Sequence, residues 1–280
     1  MKQFSFPGGV KFAWNDPIFL SNIISSDSLK KRITKFFLKK YLLNLIAPVF
    51  DGKVIFYESS IDLFLIAKEM MPSAKKIEFS AIFINAKRNR PRIYIWGLQD
   101  KKPYFIKIGF PEDYSFFQNE YYATKHEIGI ELFRVLKAQS VIKKRNYSAI
   151  LLEGLTSKDV TKMRKVSGKE FLRYCLEFNL DLKDIFNGRM HGDLSNNNIY
   201  KLENKVLILD WEYSRESFPD FCDVIEIMLS LKKYRKKSKN KILLLITDIK
   251  KEIDIDLTQD SVKDCLKHLS NLGKVLPKNF

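Results

Sequence analysis

Three residues in one short stretch have the types and spacing to do phosphoryl chemistry. The segment HGDLSNNNIYKLENKVLILDWEYS, residues 191–214, places Asp193 two residues after His191 and Asn198 five beyond Asp193. Twelve residues further on, the apolar run VLIL delivers Asp210. A loop carboxylate such as Asp193 is free to approach a hydroxyl and accept its proton as that hydroxyl attacks. Asn198 and Asp210 offer oxygen ligands, which hard cations prefer, and can hold magnesium against ATP phosphates. A rigid strand ending at Asp210 fixes one of those ligands.

The elements that must position these residues follow from patterning. IEFSAIFI, RIYIWGL and YFIKIGF are β-branched and aromatic and are separated by polar turns, which predicts a three-stranded meander from Ile77. A long helical stretch is expected over residues 114–139, and YSAILLEGL reads as a further strand ending near Gly154. Two short strands should flank the turn after Asn198. Helices are expected over 168–186, 221–231, 240–253 and 261–272. Strands first and helices later is an α+β signature with two lobes. The expected division is a 1–76 extension, a 77–154 lobe carrying an antiparallel sheet plus helix, and a mainly helical 155–280 lobe.

HGDLSNNN resembles the H-[GN]-D-L-x-x-x-N loop of the aminoglycoside-phosphotransferase and choline-kinase superfamily, and LILDWEYS is similar to the D-[FW]-E-Y segment of choline kinases. The resemblance implies a two-lobed protein-kinase-like fold that uses ATP and Mg2+. It makes Asp193 the base and Asn198 and Asp210 the metal ligands. Lys107, in YFIKI, matches the lysine that pairs with the α- and β-phosphates. The helix after it should supply a carboxylate for that lysine: QNEYYATKH favours Glu120, with Glu127, seven residues on, as the alternative. LLEGL resembles the hinge between lobes, where the backbones of Glu153 and Leu155 would hydrogen-bond adenine. Asp223, in PDFCDVIEIM, resembles the aspartate that buttresses the catalytic loop, and Asp220 is its rival.

The chain also departs from kinase patterns. Ser195 stands where eukaryotic Ser/Thr protein kinases usually place a lysine, and Trp211-Glu212 where they place Phe-Gly. Both favour a small-molecule or glycan acceptor over a protein. The loop between the first two meander strands, NAKRNRPR (85–92), has no glycine to bring backbone amides to phosphate. Lys87, Arg88 and Arg90 could reach phosphates as side chains instead, or form an ordinary basic turn. The missing glycines also keep open a pseudokinase that binds nucleotide without turnover.

Composition bounds the rest. At 45% hydrophobic over 280 residues, the chain has ample material for a core. The net charge of +16 suits an anionic acceptor, with a sugar of lipopolysaccharide or capsule as one candidate; a Lys-rich solvated surface is the plainer account. A choline-like alcohol is the candidate that DWEYS favours. No nucleic-acid recognition motif accompanies the charge, so nucleic acid is not an expected partner. Ser26 or Asp27 can cap a basic amphipathic helix ending at Ile46. That helix suits peripheral contact with an anionic membrane, although packing on its own domain is the commoner use of such a stripe. Three cysteines without ligand spacing, no apolar run of about 18 residues and no signal-peptide order at the N-terminus predict a reduced, cytoplasmic protein.

Overall fold

The computed structural model describes residues 2–5, 10–14, 53–56, 59–85, 91–125, 131–177, 188–195, 197–216, 219, 221–229 and 241–271. The fold is α+β. It comprises two compact units that interleave in sequence, residues 1–121 with 136–162 and residues 122–135 with 163–280.

In the first unit, strands β1 (Lys2–Ser5) and β2 (Val10–Trp14) are followed by a separate hairpin, β3 (Lys53–Phe56) with β4 (Ser59–Asp62), and by helix α1 (Leu63–Met70). Next come the meander strands β5 (Ile77–Asn85), β6 (Arg92–Gln99) and β7 (Lys102–Gly109), then helix α2 (Tyr114–Thr124). After β8 (Phe133–Val135), which belongs to the second unit, β9 (Ala138–Lys143) and β10 (Ser148–Glu153) return to the first. The sheet runs in the order β1-β2-β5-β6-β7-β10-β9, and every pairing in it is antiparallel. Period-two alternation explains the two faces. Ile93, Ile95, Tyr104, Ile106 and Ile108 point into the core, while Tyr94 and Trp96, between them, are half-buried on the other face.

Residues 1–76, expected as an extension, belong to the first unit. They contribute two strands to the sheet and the helix that covers its core face. Leu63, Ile66, Ala67 and Met70 of α1 join Ile82, Ile93, Ile95 and Ile106 in one apolar cluster. Asp62 caps α1, accepting from the amides of Phe64 at 2.8 Å and Leu65 at 3.1 Å. At the other end Glu69 takes the Tyr147 hydroxyl at 2.9 Å and pairs with Lys144, tying α1 to the β9–β10 turn. The basic helix expected up to Ile46 lies outside the described residues, as does the loop 86–90.

The expected helix over 114–139 is corrected by the structure. It stops at Thr124, and residues 133–135 and 138–143 are strands. Phe133-Arg134-Val135 has strand-forming residue types, and its pairing with the buried strand Lys205–Ile208 settles the outcome.

The second unit holds a four-stranded sheet, β11-β12-β13-β8, built from β11 (Arg164–Lys165), β12 (Ile199–Leu202), β13 (Lys205–Ile208) and β8. Helix α3 (Ser157–Lys162) precedes β11 and belongs to the first unit. Helices α4 (Gly168–Glu177), α5 (Cys222–Leu229), α6 (Lys241–Ile253) and α7 (Gln259–Asn271) pack into one core with the sheet through Phe171, Ile225, Leu245, Ile249 and Val262. The three cysteines are buried thiols, none of them in a disulfide. Burial pushes the Cys175 thiol up to about 12, which keeps it protonated and unreactive. Among the described residues no helix is long and apolar enough to cross a membrane.

Replacing buried Ile66 with Ala should cost about 2–4 kcal/mol in urea unfolding. Leu65→Ala, one residue away but 66% exposed, should change stability by less than about 0.5 kcal/mol. Equal losses would contradict the placement of α1 on the sheet.

Candidate functional site

The sheet face opposite the α1 core carries the lysine. Lys107 pairs with Tyr94 on β6 and with Ile150 on β10, so all three share one face. Phe105 pairs with Trp96 on that face, and the rings of Phe83, Tyr94, Trp96 and Phe105 stack at centroid separations of 5.0 to 6.3 Å. Lys107 is only 5% exposed. Its ammonium donates to both carboxylate oxygens of Glu120 on α2, at 2.9 and 2.8 Å. Burying an ion is tolerable when it is paired and hydrogen-bonded in this way. Of the two carboxylates expected to meet this lysine, Glu120 does; Glu127 lies outside the described residues.

A second buried pair fixes the entry to α2. Arg92, at the start of β6, pairs with Asp113 in the 3-10 turn Pro111–Asp113, and Asp113 also accepts from the Phe110 amide at 2.8 Å. The guanidinium lies 4.9 Å from the centre of the Phe117 ring. Gly109 is required here, because Arg92 and Asp113 occupy the space a Cβ would need. Sequence reasoning missed this pair; an arginine opening an apolar strand was its only visible sign.

At the end of β10 the amide of Glu153 donates to the Lys137 carbonyl at 2.8 Å, and the Gly154 amide to the Pro103 carbonyl at 3.0 Å. Leu155 follows, half-buried.

In the second unit the loop 191–198 is wired to the end of β13. The Asp193 amide donates to His191 Nδ1 at 3.1 Å, so the ring proton sits on Nε2, which donates to the Leu209 carbonyl at 2.9 Å. The Leu209 amide in turn donates to the Asn198 carbonyl at 2.9 Å. Leu209 immediately precedes Asp210, so the two strand-end bonds index Asp210 against Asp193 and Asn198. Trp211 closes over His191, ring centres 4.5 Å apart, and donates to the Ile208 carbonyl at 3.2 Å, a packing role.

Asn198 is the informative group. Its Nδ2 donates to the Asp193 carbonyl at 2.8 Å and to Asp193 Oδ2 at 3.1 Å. Both amide hydrogens are thus spent on Asp193, and the atom left to meet a cation is Oδ1. Asp210 sits at φ 67°, left-handed backbone that few residues besides glycine adopt without cost. A carboxylate oxygen of Glu212, to which sequence reasoning gave no ligand role, comes within 4.8 Å of one from Asp210. Its spacing of two from Asp210 was the available signal. The donor set is all oxygen, which fits magnesium.

Helix α5 supports the loop from below. Asp223 accepts from the His191 amide at 2.7 Å and the Gly192 amide at 3.0 Å. Its rival Asp220 lies outside the described residues. Gly192, at φ 76°, admits no Cβ, since the Tyr213 carbonyl oxygen would stand 2.6 Å away.

No protein-family model matches the chain, and no curated protein matches it in sequence. Solved structures of WbdD are similar in part. WbdD in co-crystal with the kinase inhibitor LY294002 is 11% identical at TM-score 0.38, over 82% of this chain and 49% of that one. Monomeric WbdD is 12% identical at TM-score 0.35, over 66% and 45%. A high-resolution WbdD structure is 8% identical at TM-score 0.38, over 81% and 49%. The chain spans about half the length of these structures. At such scores the likeness carries no weight for activity, and the site stands on its own geometry.

Lys107→Met should leave the buried Glu120 carboxylate uncompensated and cost about 3–5 kcal/mol in denaturant unfolding. Adding Glu120→Leu should recover most of that loss. A double variant as unstable as the single one would contradict the pairing.

Proposed function

We propose that the chain is an ATP-dependent kinase that moves the γ-phosphoryl group to a hydroxyl of a small molecule or glycan. The observation that carries this reading is the orientation of Asn198. Its nitrogen is turned onto Asp193 through two hydrogen bonds, so one side chain steadies the base and presents an oxygen to the metal.

Each residue then has a role its chemistry allows. Asp193 would take the proton of the attacking hydroxyl, steadied by Asn198. Asn198 Oδ1 and Asp210 would hold magnesium, with Glu212 close enough to assist. Magnesium, when bound, neutralises charge on the β- and γ-phosphate oxygens. Lys107, held by Glu120, would grip the α- and β-phosphates as a preorganised cation. The half-buried rings of Tyr94, Trp96 and Phe105 give a planar base a stacking surface on the Lys107 face, and Glu153 and Leu155 would meet its edge with backbone groups.

The acceptor follows from charge and from the choline-kinase resemblance. A chain of net charge +16 suits an anionic sugar, such as one of lipopolysaccharide or capsule, while DWEYS favours a choline-like alcohol. The glycine-free loop 85–92 favours a second reading, in which nucleotide binds without turnover.

A mass-shift screen over aminoglycosides, choline, ethanolamine and core sugars, with ATP and magnesium, tests the main reading. One acceptor should gain 80 Da of phosphate, and Asp193→Asn should slow that transfer by about 10²–10⁴-fold. Nucleotide binding without phosphate gain on any acceptor would move the balance to the second reading. Titration with ATP should also quench Trp96 fluorescence, a response that Trp96→Leu should remove. Unchanged emission at saturating nucleotide would exclude the stacking surface.

A further inference from the structure

We propose that Glu226 is a positioning residue for Asp193, and that one turn of α5 is the mount on which the base is set. The inference rests on the reading of Asp193 as the base. Four consecutive loop amides find acceptors as follows. His191 and Gly192 donate to Asp223, Asp193 donates to the imidazole of His191, and Leu194 donates to Glu226 Oε2 at 3.0 Å. A run of successive amides is an anion-binding arrangement. Here the anions are internal, two carboxylates spaced i, i+3 on one helix face.

The arrangement is costly enough to need a reason. Asp223 and Glu226 are 4% and 9% exposed, and like charges one turn apart repel. Asp223 holds the two residues before Asp193. Glu226 holds the residue after it, so without Glu226 the backbone following Asp193 loses its tie to α5, and the Leu194 amide, in a residue with no exposed surface, loses this acceptor. Side-chain length matters as well. Aspartate serves at 223, whereas one turn further along the helix the bond to Leu194 is made by the longer glutamate.

The test compares Glu226→Ala, Glu226→Asp and Glu226→Gln with the unaltered chain. Ala and Asp should lower kcat by about 10²-fold, the scale of a misplaced reacting group, with KM for ATP unchanged. Gln keeps an acceptor oxygen and should recover most of kcat. In hydrogen exchange of the nucleotide-free protein, amides 191–194 should exchange faster in the Ala variant and normally in the Gln variant. A kcat for Glu226→Ala within threefold of the unaltered chain overturns the proposal, as does a Gln variant no better than Ala at equal stability. If the unaltered chain transfers no phosphate, the kinase reading fails by itself. The exchange data then decide the mount, and unchanged exchange in the Ala variant sinks it.

Discussion

A charge withdrawn from water must meet its counterpart at close range, and this constraint organises both units. Lys107 is buried because Glu120 grips it with two oxygens, and Arg92 because Asp113 and the face of Phe117 receive it. In the second unit the partners of the buried carboxylates Asp223 and Glu226 are backbone amides. Each arrangement trades hydration for a fixed direction. A lysine on the surface would sample many rotamers; one clamped by a bidentate carboxylate points one way. Preorganisation of this kind lets a polar group act without paying for its own reorientation during a reaction.

The constraint also explains which parts of the protein could be read in its residues. The loop 191–198 and Asp210 were legible because their chemistry demands particular side chains at particular intervals. Lys107 and Glu120 were legible only once the loop had suggested what to look for. A lysine in a strand and a glutamate in a helix are commonplace alone, and periodicity could not separate Glu120 from Glu127. The meander, β10 and the late helices showed clear hydrophobic patterns, and the described elements match them in type.

What escaped notice depended on distance in the chain. Phe133–Val135 was taken for helix because its strand partner, β13, lies about seventy residues on, and only that pairing makes it a strand. Glu226 was one carboxylate in a helix of buried residues, and its partner, the Leu194 amide, leaves no trace in composition. Arg92 and Asp113 are 21 positions apart and make sense only when β6 and the turn before α2 lie together. Tertiary partners of polar groups are the information a single sequence hides best.

Helix α1 has a consequence for anyone defining the boundaries of this protein. A fragment beginning at Ile77 would keep every residue assigned to chemistry, yet it would strip the lid from Ile82, Ile93, Ile95 and Ile106 and leave a greasy β-surface facing water. Such a piece would be prone to self-association and to capture by chaperones. A segment that supplies none of those residues is therefore what keeps the apolar face of the lysine-bearing sheet covered.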